Sequence, residues 1–283
     1  MRIDEALLTR MGVRPGRCER IREKDGIGVY RIDGPDGRCV LKTFDNPEDR
    51  REIGHYRLLQ TLGVPTPRLL RADDDALLLE DLDAGPVWRL CTASDLADPA
   101  FAEALAGWYR LLHDRGRPYA AAHSADLPEE SDALTRAALA FLRQRSGAAD
   151  APVWTLLETG YDRLMYRLQG LPRTLCYNDF YYTNCAAARD GGAALVFDYH
   201  LLGRGYVYGD LRNVTVSLSP EAGKAFLRAY GPFDPLEKAV DDVISPLYTL
   251  LCAYRLPRFP TWAQASLHAA TGGALEQAVR FLL

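Results

Sequence analysis

The spacing of apolar positions changes along this chain, and the change divides it in two. In the first 80 residues, apolar positions fall in short runs rich in β-branched and aromatic residues, a texture that favours strands. Strands are expected at 20–24, 29–32, 38–44, 68–70 and 76–80. Gly34-Pro35-Asp36-Gly37, between the second and third, reads as a hairpin turn. One segment switches to helical spacing: Ile53, Tyr56, Leu59 and Leu62 predict a helix over 47–62, stopped by Gly63. Beyond Asp81-Leu82-Asp83-Ala84-Gly85 long helical patterns take over, at 99–114, 131–145 and 151–168, with a loop expected over 117–130. A β island at 174–198 interrupts them, and helices resume from 209 to the end. The expected fold class is α+β: an N-terminal part, residues 1–82, of five strands and one helix, and a helical part, residues 83–283, holding a short β-hairpin. A hinge is expected at about 80–85, with the site in the cleft beside it.

Charge narrows the partners. The 283 residues carry 34 Lys plus Arg against 38 Asp plus Glu, a net charge of -4, which argues against nucleic acid or an anionic membrane surface. Only Lys24, Lys42, Lys224 and Lys238 are lysines; the other cations are Arg. No apolar run reaches the roughly 18 residues of a membrane-spanning helix. The start, MRIDEALLTRMG, lacks the apolar core of a signal peptide. The six cysteines are scattered without a C-x-x-C pair, so neither a zinc site nor a disulfide framework is expected. Together these features predict a cytoplasmic protein.

The chemistry-bearing stretch is LCYNDFYYTN, residues 175–184, followed by ALVFDYH, residues 194–200. Polar residues bracketed by apolar strands place Asp179, Asn184 and Asp198 at one rim of a hairpin. Two carboxylates and an amide are hard oxygen donors, suited to Mg²⁺ beside substrate phosphates. Phosphoryl transfer needs such a metal, a carboxylate to orient the attacking hydroxyl, and a cation on the phosphates. Asp179 suits the hydroxyl, and Asn184 and Asp198 suit the metal. Lys42 ends a strand in CVLKTF, and Glu52 lies in the following helix, placed to hold it extended.

These segments resemble the aminoglycoside phosphotransferase and choline kinase family, small-molecule kinases with a protein-kinase-like fold. The family's catalytic loop, H-[GN]-D-x-x-x-x-N, is matched by Tyr177-Asn178-Asp179 through Asn184 except at its first residue. Residues 51–70 are similar to its αC helix and G-V-P-x-P turn, LLLEDL at 77–82 to its hinge, and Gly205 through Asp210-Leu211 to its G-D-x-x-x-D-L, with Tyr206 replacing the first Asp. The resemblance implies that Asp179 is catalytic and that Asn184 and Asp198 hold Mg²⁺. It implies that Lys42, Glu52, Gly26, Gly28 and the backbone near Glu80 and Leu82 bind ATP or another nucleoside triphosphate, and that Tyr177 and Asp210 brace the loop. The implied partner is a small-molecule hydroxyl acceptor, aminoglycoside-like or an amino-alcohol. Asp234, Glu237, Asp241 and Asp242 read either as an acidic wall for a cationic acceptor or as a solvated helix face. His200 stands where choline kinases commonly carry Glu, which argues against choline. Tyr177 and the thin Gly26-Ile27-Gly28 also admit a different class, a nucleotide-binding pseudokinase or interaction module. Only residues 199–208 separate Asp198 from Gly209-Asp210, too few for the activation loop of a protein kinase.

Overall fold

The computed structural model describes residues 3–14, 16–35 and 37–283; Asp36 of the expected hairpin turn lies outside them. In chain order the elements are α1 (Glu5–Arg10), β1 (Arg17–Lys24), β2 (Ile27–Gly34), β3 (Gly37–Phe44), α2 (Arg51–Thr61), β4 (Leu69–Ala72), β5 (Ala76–Glu80), β6 (Trp88–Leu90) and α3 (Pro99–Ala122). There follow α4 (Arg136–Arg145), α5 (Pro152–Gln169), β7 (Thr174–Cys176), β8 (Cys185–Ala188), β9 (Ala194–Val196), β10 (Gly203–Gly205) and α6 (Val207–Thr215). The chain finishes with α7 (Pro220–Tyr230), α8 (Pro235–Tyr254), α9 (Gln264–Thr271) and α10 (Ala274–Leu282). The fold is α+β, an antiparallel sheet followed by a mainly helical remainder. The residues gather into two compact units, 1–116 with 177–202 and 213–231, and 117–176 with 203–212 and 232–283.

In the first unit, five antiparallel strands run in the order β1-β2-β3-β5-β4. Strand alternation sends successive side chains to opposite faces. One face carries Ile32 and Leu41, with Leu78, against Leu7, Leu8 and Met11 at the start of the chain. Each such burial is worth about 1.5–3 kcal/mol. Helix α1, which the apolar pattern does not announce, starts where the Asp4 side chain accepts a hydrogen bond from the Leu7 backbone N–H. The opposite face carries a cross-strand row in register: Arg22, Val29, Lys42 and Leu77. A second, three-stranded sheet, β6-β8-β9, builds the hairpin that follows the 177–184 loop.

In the second unit, α4, α5, α8 and α10 bury a core that includes Leu142, Trp154, Leu157, Leu164, Val240, Leu247, Leu250 and Val279. The structure differs from the pattern reading in two stretches. Residues 117–122 are helical, continuing α3 through Pro118. Ala120 to Ala122 are the best helix formers available, and Ala120 is fully buried, so propensity and packing override the polar flanks. Residues 130–133 form a 3₁₀ turn, and α4 starts only at Arg136, where the Thr135 hydroxyl accepts from Ala138 N–H.

Candidate active site

Strand β3 places Lys42 opposite Val29 on one side and Leu77 on the other. Its ammonium is buried between two carboxylates: Nζ lies 2.7 Å from Glu52 Oε2 and 2.6 Å from Asp198 Oδ1. Lys42 is 6% exposed and Glu52 0%. Burial pushes the ammonium towards losing its proton, but Glu52 and Asp198 outweigh it and hold its pKa above the ordinary lysine value.

The 177–184 loop is tied to the segment that carries Asp198. Tyr177, fully buried, donates its hydroxyl to the Phe197 carbonyl at 2.6 Å, and its ring meets Trp108, Tyr109 and Tyr199 edge-on. Asn178 Nδ2 donates to the Leu201 carbonyl at 3.1 Å, and Phe197 N–H to the Asn184 carbonyl at 2.9 Å. Asn178 and Asp198 take left-handed backbone angles, φ 65° and 69°. Such strain collects at functional sites and needs a surrounding network to hold it.

Helix α2 grips the residue after Asp198 from three sides. Glu52 Oε1 accepts from Tyr199 N–H at 3.2 Å. His55 Nδ1 lies 2.7 Å from the Tyr199 carbonyl and donates to it. The Tyr56 and Tyr199 rings meet edge-on with centroids 4.7 Å apart. Burial lowers the His55 pKa, which favours the neutral ring with its proton on Nδ1.

Lys42, Asp179, Asn184 and Asp198 line one open cavity of about 630 Å³, together with Arg22, Lys24 and His200. Burial would raise the Asp198 pKa, but hydrogen bonds from His200 and Lys42 hold that carboxyl well below the usual carboxylate range. Burial raises the Asp179 pKa, with His200 pulling the other way. His200 Nδ1 stands 3.1 Å from Asp198 Oδ1 and 3.8 Å from Asp179 Oδ2. Burial alone would lower the pKa of His200; its hydrogen bond to Asp198 raises it. This bridging role was not readable in the sequence, where His200 registers only as a replacement for Glu.

The other sequence candidates lie elsewhere. Gly26 takes φ 83° in the β1–β2 turn, and a Cβ on Gly28 would come within 2.6 Å of the Tyr30 ring. Glu80 Oε1 accepts from Arg68 N–H, and Leu82 is buried beside Asp81, which Arg31 and Arg38 pair. Asp210 is fully buried in α6 of the second unit. The four late acids do not form an acidic wall. Asp234 caps α8 through Leu236 N–H, and Glu237 accepts from Tyr208 N–H. Asp241 is taken by Arg212 and the Tyr206 hydroxyl, and Asp242 by Lys238. Two of them, Glu237 and Asp241, are buried, so the solvated-face reading fails for them as well.

Residues 23–240 match the model of the phosphotransferase enzyme family, and the chain belongs to that family. Its fold is shared by macrolide 2'-phosphotransferase MphH from Brachybacterium faecium, at TM-score 0.64 and 18% identity over 94% of this chain and 96% of that one. A choline/ethanolamine kinase family protein from Mesorhizobium loti gives TM-score 0.63 and 15% identity over 98% of both chains. Spectinomycin phosphotransferase APH(9)-Ia, solved with ADP and spectinomycin, gives 0.56 and 14% over 98% of this chain and 95% of that one. No curated protein sequence matches the chain significantly. No described helix is long and apolar enough to cross a membrane.

Proposed function

We propose that the chain transfers the γ-phosphoryl group of Mg·ATP to a hydroxyl of a small molecule. The observation that carries this reading is the single cavity that Lys42, Asp179, Asn184 and Asp198 share, with Lys42 held from behind by Glu52. Asp179 sits on the cavity wall and accepts the acceptor's hydroxyl proton, which aims the oxygen at phosphorus. Lys42, kept charged by its two carboxylates, holds the nucleotide phosphates. The donor set fits a hard divalent cation: Asp198 stays ionised, and the Asn184 amide adds a neutral oxygen donor among the residues of the same cavity. A Mg²⁺ held by these two residues would neutralise charge on the phosphate oxygens. Gly26 and Gly28 keep the β1–β2 turn small beside the phosphates, and the backbone at Glu80 to Leu82 takes the adenine.

The division into a nucleotide-binding part, 1–82, and an acceptor-binding part, 83–283, belongs to the same proposal, as does a cytoplasmic location. The acceptor is aminoglycoside-like or an amino-alcohol. That choice is supported by the fold relatives, which are named for macrolides, spectinomycin, choline and ethanolamine. The pseudokinase alternative loses its main motive, because Tyr177 ties the loop to Phe197 rather than loosening it.

The test is ADP release from Mg·ATP with a panel of aminoglycosides, macrolides and amino-alcohols. Turnover with at least one acceptor, abolished in Asp179→Asn, is expected. ATP consumption that no acceptor stimulates, or that survives Asp179→Asn, would overturn the proposal.

A further inference from the structure

Strand β1 reads RCERIREK and is exposed at all eight positions. Its pairing with β2 slips between Arg20 and Arg22: Arg20 faces Tyr30, Arg22 faces Val29, and Ile21 is the extra residue. A slip of one residue exchanges the two faces of a strand, and bulges re-aim side chains beside active sites. Without it, Ile21 would oppose Val29 and Arg22 would oppose Gly28, on the far side of the sheet. With it, Arg22 joins the row that runs through Val29 to Lys42. Two strand spacings put its backbone about 10 Å from that of Lys42. The same slip carries Lys24 to this face, opposite Ile27. Both Arg22 and Lys24 line the cavity that holds Asp179 and Asp198.

The turn joining β1 to β2 is held by the segment after β3. Asp25 and Gly26 both take left-handed angles, φ 52° and 83°, as a tight two-residue hairpin requires. The Gly26 carbonyl accepts from Asp45 N–H at 2.8 Å, and the Asp25 carbonyl from Asn46 Nδ2 at 3.0 Å. Lys24 is loosely paired with Asp25 at 3.4 Å. Arg22 has no hydrogen-bond or ion-pair partner among the described residues. A guanidinium fork with no partner among the described residues therefore lines the cavity that Asp179 also lines, and its charge reaches that carboxyl, where it opposes the larger effect of burial.

We infer that Arg22, aimed into the cavity by the bulge at Ile21, contacts the γ-phosphoryl group of the nucleotide. This rests on the function proposed above. In the transfer, the bond between the γ-phosphorus and the β,γ-bridging oxygen breaks, and the bond to the acceptor oxygen forms. The acceptor proton goes to Asp179 and ADP leaves. Arg22 binds the equatorial oxygens throughout, the task an arginine finger performs in other phosphoryl-transfer enzymes.

Titration calorimetry with Mg·ATP and Mg·ADP tests this on the whole chain. Arg22→Gln is expected to weaken ATP about tenfold or more, the scale of one lost charge-assisted hydrogen bond, and ADP less than about threefold. Arg22→Lys, which keeps a charge without the fork, should recover part of the loss. Deleting Ile21 removes the bulge yet keeps Arg22 opposite Val29, so both affinities should stay near those of the parent. Arg20→Gln, on the other face, should change neither affinity. Equal affinities for parent and Arg22→Gln, or an equal loss of ATP and ADP, would overturn the role of Arg22 and leave the function standing. A parent that binds neither nucleotide would overturn both.

Discussion

Replacing Lys42 with Met tests whether the buried charges of this site are held by one another. The substitution keeps the length and apolar stem of the side chain and removes the ammonium. Glu52, with no exposed surface, is then left with the Tyr199 N–H on one oxygen and no cation on the other. Stripping one partner from a buried ion pair costs about 3–5 kcal/mol. For 283 residues the unfolding entropy is about 0.6 kcal/mol/K, so the melting temperature should fall by about 5–8 °C. Glu52→Gln in the Lys42→Met background removes the stranded charge and should recover at least half of the loss. The pH dependence has a definite sign. Burial raises the Glu52 pKa, and without Lys42 nothing comparable opposes it. A carboxyl whose folded pKa exceeds its unfolded one contributes stability at low pH and loses it as pH rises through the folded value. The deficit of Lys42→Met should therefore be largest at pH 8 and shrink towards pH 5. Thermal unfolding of the parent, both single variants and the double variant at these two pH values gives the full cycle. A Lys42→Met protein within about 1 kcal/mol of the parent, or a double variant no more stable than Lys42→Met, would refute the reasoning.

Other expectations follow from the same geometry. Burial pushes the Glu130 carboxyl up to about 7, so its contribution, present at low pH, is lost as pH rises from about 4.5 through 7. Glu130→Gln should equal the parent below pH 5 and exceed it at pH 8 by roughly 2–3 kcal/mol in urea unfolding; equal stability at pH 8 would contradict this. Tyr177→Phe strands the Phe197 carbonyl and should cost about 1–3 kcal/mol, with turnover reduced more than ATP affinity. Gly28→Ala drives a methyl into the Tyr30 ring and Thr43 Oγ1, and should cost about 1–3 kcal/mol by the same unfolding assay.

Much of the site is written locally. Lys42 lies in an apolar strand and Glu52 ten residues on in a periodic helix, and Asp179, Asn184 and Asp198 are bracketed by apolar runs, so short-range pattern places them. What pattern does not reach depends on pairing between distant segments. Every residue of β1 is exposed, so no alternation tells which face Arg22 occupies; only its register with β2 decides. The late acids look alike in sequence, and their fates separate only when Arg212, Tyr206 and Tyr208 arrive from α6 and the residue before it. Helix α1 is six residues long, too short for periodicity to declare, and exists by packing on the sheet.

The grip of α2 on Tyr199 has a consequence for control. Both backbone groups of that residue are bonded to side chains of one helix, and its ring is packed against a third. The helix cannot withdraw from the Asp198 segment without leaving a buried N–H and a buried carbonyl unpaired, at about 1–3 kcal/mol each, and without exposing the Glu52 carboxylate. An enzyme wired in this way has no inexpensive off state reached by swinging that helix aside.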